Sequence, residues 1–130
     1  IIYCATRKGV DSTFNQLQKA GHKVGKYHAG MSEQDRTAAQ HAFLHDQTTL
    51  MVATIAFGMG VHKPDIRFIV HMDMPQTIEQ YYQEIGRAGR DGLAADCLML
   101  FGMQDLILYK RFSEQLENPA IRQQMKMKME

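Results

Sequence analysis

Short apolar runs alternate with amphipathic stretches along most of this chain, and no other property limits its possible folds as sharply. Residues 1–5 (Ile-Ile-Tyr-Cys-Ala) read as a buried strand. Val10, Phe14 and Leu17 recur at helical spacing across residues 8–20, and Gly21 follows where a helix would stop. Residues 22–27 make a short alternating strand. Ser32 and Asp35 have the spacing of a capping box and open a helical face through Ala38, Ala39, Ala42 and Phe43. Strands are expected at residues 50–53 and 68–71, the latter apolar enough for burial on both faces. Thr77 and Gln80 repeat the capping pattern and open a helix through Ile78, Tyr81, Tyr82 and Ile85. Residues 97–101 make a last strand; Leu106, Leu108, Tyr109, Phe112 and Leu116 mark a last helix before Asn118-Pro119.

Strand and helix alternating at this spacing specify an α/β domain, a mostly parallel sheet with helices on both faces. Right-handed crossovers then bring every strand-to-helix loop to one edge of the sheet, where such folds bind ligands. Thr6-Arg7, His28-Ala29-Gly30, residues 54–64 and Met74-Pro75 are therefore expected on one rim. At 130 residues the chain can bury a core without disulfides or metal. Its 45% hydrophobic and 22% charged composition excludes disorder, collagen and coiled coil as overall descriptions. No apolar run approaches the roughly 18 residues of a membrane span, so no membrane partner is expected. Cys4 and Cys97 have no C-x-x-C spacing and read as small buried hydrophobes of a reducing compartment. The chain opens on Ile1 without a leader pattern, which suggests a domain of a longer protein. Residues 1–118 would form that domain, and residues 119–130 the start of a connection to a downstream module.

Two segments carry chemistry. In residues 83–92 (Gln-Glu-Ile-Gly-Arg-Ala-Gly-Arg-Asp-Gly), Arg87 and Arg90 share a face if the helix continues through them. Gly86 and Gly89 would interrupt that helix at about 1 kcal/mol each relative to alanine, with no packing motive in view. Glycines let a phosphate approach the backbone, and paired guanidinium groups bind its oxygens bidentately. The alternative is an arginine-rich helix end closed by glycine and favoured by the helix dipole. In residues 52–64, a buried strand runs into Thr54, two glycines, His62, Lys63 and Pro64. Hydroxyl, backbone N–H groups and Lys63 could hold a phosphate there; an ordinary glycine-containing loop is the alternative.

Together with the opening Ile-Ile-Tyr-Cys-Ala-Thr-Arg-Lys, these segments resemble the second RecA-like domain of RecQ-family DNA helicases. Residues 1–8 are similar to motif four, 52–64 to motif five and 80–92 to motif six, with Tyr27-His28-Ala29-Gly30-Met31 as a further signature. The resemblance implies a RecA-like three-layer α/β sandwich. It also implies Arg90 as the arginine finger toward the γ-phosphate of ATP, with Arg87 and Gln83 supporting it. Thr6, Arg7, His28, Gly30, Thr54 and Lys63 would line a DNA backbone track that positions the strand without reading its sequence. Gly60 and His62 would face the nucleotide sugar, and His62 departs from the Asp or Asn usual in relatives, though a neutral imidazole still makes one hydrogen bond. The implied ligands are ATP with Mg2+, held mainly by a first RecA-like domain. The implied partners are that domain and single-stranded or forked DNA. Localisation would be cytoplasmic at a bacterial nucleoid, or nuclear in a eukaryote.

No G-x-x-x-x-G-K-[ST] loop, acidic magnesium box or cysteine cluster occurs, so the chain supplies half a composite site and is not expected to hydrolyse ATP alone. His41 and His45 lack a third ligand and read as a solvated helix face. Tyr81 or Tyr82 is expected in the core, Asp65 and Asp73 as caps, and the Met125, Met127, Met129 alternation as a fraying end. Net charge is +1, yet residues 1–30 hold Arg7, Lys8, Lys19, Lys23 and Lys26 against Asp11 alone. Two other functions fit the same pattern: a related motor acting on RNA or as a translocase, and a nucleic-acid-binding module uncoupled from ATP.

Overall fold

The computed structural model describes residues 1–58, 61–100 and 102. The last helix expected near Leu106, the tail and the boundary at residue 118 lie outside the described residues, as do Met59 and Gly60. The elements run β1 (Ile2–Tyr3), α1 (Arg7–Lys19), β2 (Val24–Tyr27), α2 (Glu33–Leu44), β3 (Leu50–Ala53), β4 (Phe68–His71), α3 (Ile78–Ile85) and β5 (Asp96–Met99). All five strands are parallel, in the order β2-β3-β1-β4-β5.

Each helix starts where a side chain can accept an orphan N–H. Thr6 accepts from Gly9 at 2.9 Å, Ser32 from Asp35 at 3.1 Å and Thr77 from Gln80 at 3.0 Å. Glu33 and Asp35 add negative charge to the first turn of α2, where the helix dipole favours it. Parallel strands need crossovers, and their common right hand places α1 on one face of the sheet and α2 with α3 on the other.

Alternating strand residues sort accordingly. Ile1, Tyr3, Met51, Ala53 and Ile69 pack with Phe43, Phe57, Val61 and Ile66 in one core; Ile2, Cys4 and Val52 pack with Val10 in the second. Full burial of Val10, Met51, Val52 and Ile69 contributes about 1.5–3 kcal/mol each. β4 is buried on one face only: Ile69 and His71 are enclosed, whereas Phe68 and Val70 are half-buried. Cys97 is exposed rather than buried, because β5 pairs only with β4 among the described residues.

Tyr3 carries a consequence of this packing. Its hydroxyl is buried without a hydrogen-bond partner, and burial pushes its pKa from 10.0 to about 12, against the opposing pull of the nearby Arg87 guanidinium. The fold thus favours the neutral phenol. The resulting stability is intact below pH 10 and is lost as pH rises from about 10 through about 12. Two pKa units correspond to about 3 kcal/mol. Thermal unfolding followed between pH 9 and 12 should fall more steeply for the natural sequence than for Tyr3→Phe; parallel curves would refute this account.

Candidate functional site

Strand order reverses around β1. The chain leaves β1 toward β2 on one side and leaves β4 toward β5 on the other, so a crevice opens between their carboxyl ends. A cleft lies there, lined by Tyr3, Ala5, Ile55, His71, Asp73 and Glu84 among others. Asp73 accepts a hydrogen bond from the Ala5 N–H at 2.8 Å, tying the two strand ends together.

The first group on this rim gathers Thr6, Arg7, His28, Gly30 and Thr54. Thr6 and Arg7 are exposed at the start of α1. A side chain on Gly30 would press on Arg7 and His28, at 3.3 and 3.1 Å, so the two loops touch. Thr54 follows β3, its N–H donating to the Tyr27 carbonyl at 3.2 Å. His28 is only 7% exposed. Its Nδ1 accepts from the Gly30 N–H at 3.0 Å, which leaves the ring proton on Nε2 to donate to Asp11 at 3.1 Å. Asp11 also pairs with Lys26 at 3.0 Å, and Lys26 first, then His28, hold its carboxyl below the usual range. The Gly30 amide is therefore already engaged within the rim. That N–H is used inside the loop, and His28 shapes the rim from within.

The second group joins the motif-five loop to the motif-six turn. The arginines do not share a helix face, because α3 ends at Ile85 and Gly86 caps it. Gly89, at φ +61°, bends the chain onward, and a side chain there would meet the Leu93 carbonyl at 2.8 Å. That close approach supplies the motive for glycine that helical reasoning lacked. Arg87 turns inward and donates through Nη1 to the Gly58 carbonyl, while its Nε is buried without a partner. Gly58 has φ +129°, and any Cβ would lie 2.6 Å from that guanidinium. Arg90 is exposed, with Nε donating to the Gly86 carbonyl at 3.2 Å. Gln83 is exposed on α3, His62 is exposed, and Gly60 lies outside the described residues.

Lys63 must be removed from the proposed DNA track. It sits at the opposite edge, beside Ile1 and Phe68 at the amino ends of the strands. Buried there, it pairs with Asp46 at 2.5 Å and Asp65 at 3.1 Å, over the Phe43 ring. Lys63 thus keeps company with Ile1, Phe68, Asp46 and Asp65 rather than with Thr6, Arg7 and Thr54, although it follows Thr54 closely in sequence.

Sequence reasoning missed a buried pair, His71 and Glu84. His71 Nε2 lies 2.8 Å from Glu84 Oε2, and Gln80 donates to Oε1 at 2.9 Å. His71 stacks on Tyr3 and meets the Tyr81 ring at a tilt of 51°, while Tyr82 is exposed. The only available signal was alternation, which puts His71 on the enclosed face with Ile69. Among the described residues no three metal-binding side chains cluster, and no helix is long and apolar enough to cross a membrane. The exposed His41 and His45 rings stand 4.2 Å apart.

Residues 1–92 match the family model of the helicase conserved C-terminal domain. The chain is 46% identical to the ATP-dependent DNA helicase RecQ of Bacillus subtilis, over 91% of its own length but 20% of that protein's. It is 44% identical to the RecQ-like DNA helicase blm-1 of Caenorhabditis elegans, over 88% of its length and 12% of that protein's. A mimivirus protein named as an ATP-dependent RNA helicase is 46% identical, over 92% of the chain and 22% of that protein. The chain thus spans about a fifth or less of these relatives. Among solved structures it resembles a DEAD box protein from Methanococcus jannaschii, with TM-score 0.75 and 21% identity, covering 87% of this chain and 31% of that one. That likeness bears out the RecA-like three-layer fold. The chain therefore belongs to the helicase conserved C-terminal domain family, in its RecQ-like form.

Proposed function

We propose that this chain is the second motor domain of an ATP-dependent 3′–5′ DNA helicase, supplying the arginine finger and part of the single-strand track. One observation carries the reading: Arg87 bonds the Gly58 carbonyl, so the loop following Thr54 and the turn bearing Arg90 are physically joined. A strand moving against Thr6, Arg7 and Thr54 can therefore shift the group that meets nucleotide. The side chains suit an anion, since Arg90 is exposed and the buried Arg87 Nε has no partner. ATP and Mg2+ would be held mainly by a first RecA-like domain. Arg90 would stabilise charge developing on the transferred phosphoryl group, Gln83 would support it, and His62 would stand toward the sugar. The phosphate track would be positioned by the Thr6 hydroxyl, the Arg7 guanidinium and Thr54, without base contacts. The isolated chain, lacking a phosphate loop, is expected to hydrolyse no ATP.

The similarity to a protein named as an RNA helicase gives a second reading, a motor acting on RNA. Unwinding by the full-length protein separates them. A DNA fork with a 3′ single-stranded tail should open in an ATP-dependent manner, whereas the matched RNA fork and a DNA fork with only a 5′ tail should stay closed. Preferential opening of the RNA fork would favour the second reading and overturn the first.

A further inference from the structure

Arg67 immediately precedes β4 and lies between motifs five and six, yet it makes three bonds to the segments around it. Its Nε donates to the Asp65 carbonyl at 3.2 Å, Nη1 to the Ala94 carbonyl at 2.9 Å and Nη2 to Asp91 Oδ1 at 2.5 Å. The same carboxylate oxygen accepts from the Leu93 N–H at 3.0 Å. Arg67, more than any other group, holds the Asp91 carboxyl below the usual range. Two backbone bonds run alongside: Gly89 N–H donates to the Ile66 carbonyl at 2.9 Å, and Asp91 N–H to the Pro64 carbonyl at 3.0 Å.

Arg90 sits between those two pinned amides. We propose that Arg67 is a positioning residue for Arg90, clamping the 89–94 turn so that the guanidinium is presented from one fixed place. Resting on the reading of Arg90 as the finger, the clamp adds what aims it. A turn with Gly89 and Gly92 both at positive φ has many conformations open to it, and two bonds from one planar guanidinium, itself anchored on the Asp65 carbonyl, select among them. Stability is a poor explanation for this arrangement. Arg67 and Asp91 side chains are 39% and 24% exposed, and ion pairs of that exposure contribute little. Geometry is another matter, since a displacement of about 1 Å can cost on the order of 100-fold in rate.

The test uses the full-length protein, comparing Arg67→Ala, Arg67→Lys, Asp91→Asn and Arg90→Ala singly, and Arg67→Ala with Arg90→Ala. Arg67→Ala should lower kcat for DNA-stimulated ATP hydrolysis by about tenfold or more, with KM for ATP and single-strand affinity within about twofold. Arg67→Lys, which cannot span three acceptors, should recover only part of the rate. Should Arg67→Ala fail to fold, Asp91→Asn keeps the shape of the turn and should still show a kcat loss without a KM change. In the Arg90→Ala background, Arg67→Ala should cost nothing further. A full kcat for Arg67→Ala beside an inactive Arg90→Ala overturns the clamp and leaves the finger standing. An undiminished further loss in the double variant overturns it too, as does a parallel loss of DNA affinity, because Arg67 would then support the fold at large. An active Arg90→Ala overturns both.

Discussion

Arg90→Ala in the full-length protein is expected to reduce DNA-stimulated ATP hydrolysis by roughly 10³-fold or more, while nucleotide affinity changes by less than about threefold. The expectation follows from how differently the two motif-six arginines are placed. Arg87 is committed to the Gly58 carbonyl and lies near the buried Tyr3 hydroxyl, so its loss would loosen the motif-five loop as well as remove charge. Arg90 is exposed and bonded through Nε to Gly86, so its removal subtracts charge at the domain edge and leaves the loop where it was. A finger acts on charge that develops in the transition state, so kcat should fall while ground-state binding holds. Arg90→Lys should rescue little, because a point charge cannot match two phosphate oxygens as a planar fork does. Arg87→Ala should differ in kind, weakening hydrolysis and its dependence on DNA together. Steady-state hydrolysis with and without single-stranded DNA, alongside fluorescent-nucleotide binding, reads all three. Normal hydrolysis by Arg90→Ala would take Arg90 out of the phosphate chemistry.

Period and capping carried most of the fold into view. Residues 1–5, 50–53 and 68–71 were readable as strands because strands of a parallel sheet keep continuous apolar runs, as β4 does although one of its faces is only half-buried. Ser32 and Thr77 were readable as helix starts because an N-cap hydroxyl and its target amide are three residues apart. The rim followed from handedness alone, and it does gather Thr6, Arg7, His28, Gly30 and Thr54. Contacts set by long-range chain path were not readable. Lys63 lies beside Ile1 and Phe68 at the amino ends of the strands, paired with Asp46 and Asp65 in a way no local pattern encodes. Arg87 and Arg90 would share a face on a continuing helix; the left-handed Gly89 sends them apart. Arg67 was invisible because its partners lie 24 and 27 residues away.

The buried His71–Glu84 pair was hidden for the same reason, its members 13 residues apart, and it carries a large stability effect. His71 and Glu84 are 2% and 5% exposed, and the carboxylate is completed by Gln80. His71 Nδ1 already lacks a partner, so Glu84→Ala would leave the whole imidazole buried without a hydrogen bond. Leaving a buried hydrogen-bonding group without its partner costs about 1–3 kcal/mol. For a domain near 100 residues that is a fall in Tm of roughly 5–20 °C. Glu84→Gln keeps an acceptor for His71 and should cost about 1 kcal/mol. The double replacement His71→Phe with Glu84→Leu removes both polar partners and should regain much of the loss, since apolar groups of similar volume often substitute for a buried pair without penalty. The pair also joins the end of β4 to α3 one turn before Arg87, so Glu84→Ala should lower hydrolysis at temperatures where the domain is still folded. Thermal unfolding of the three variants decides the matter. A Glu84→Ala protein melting within about 2 °C of the natural sequence would mean that His71 finds a new partner and that the pair does not hold α3 to the sheet.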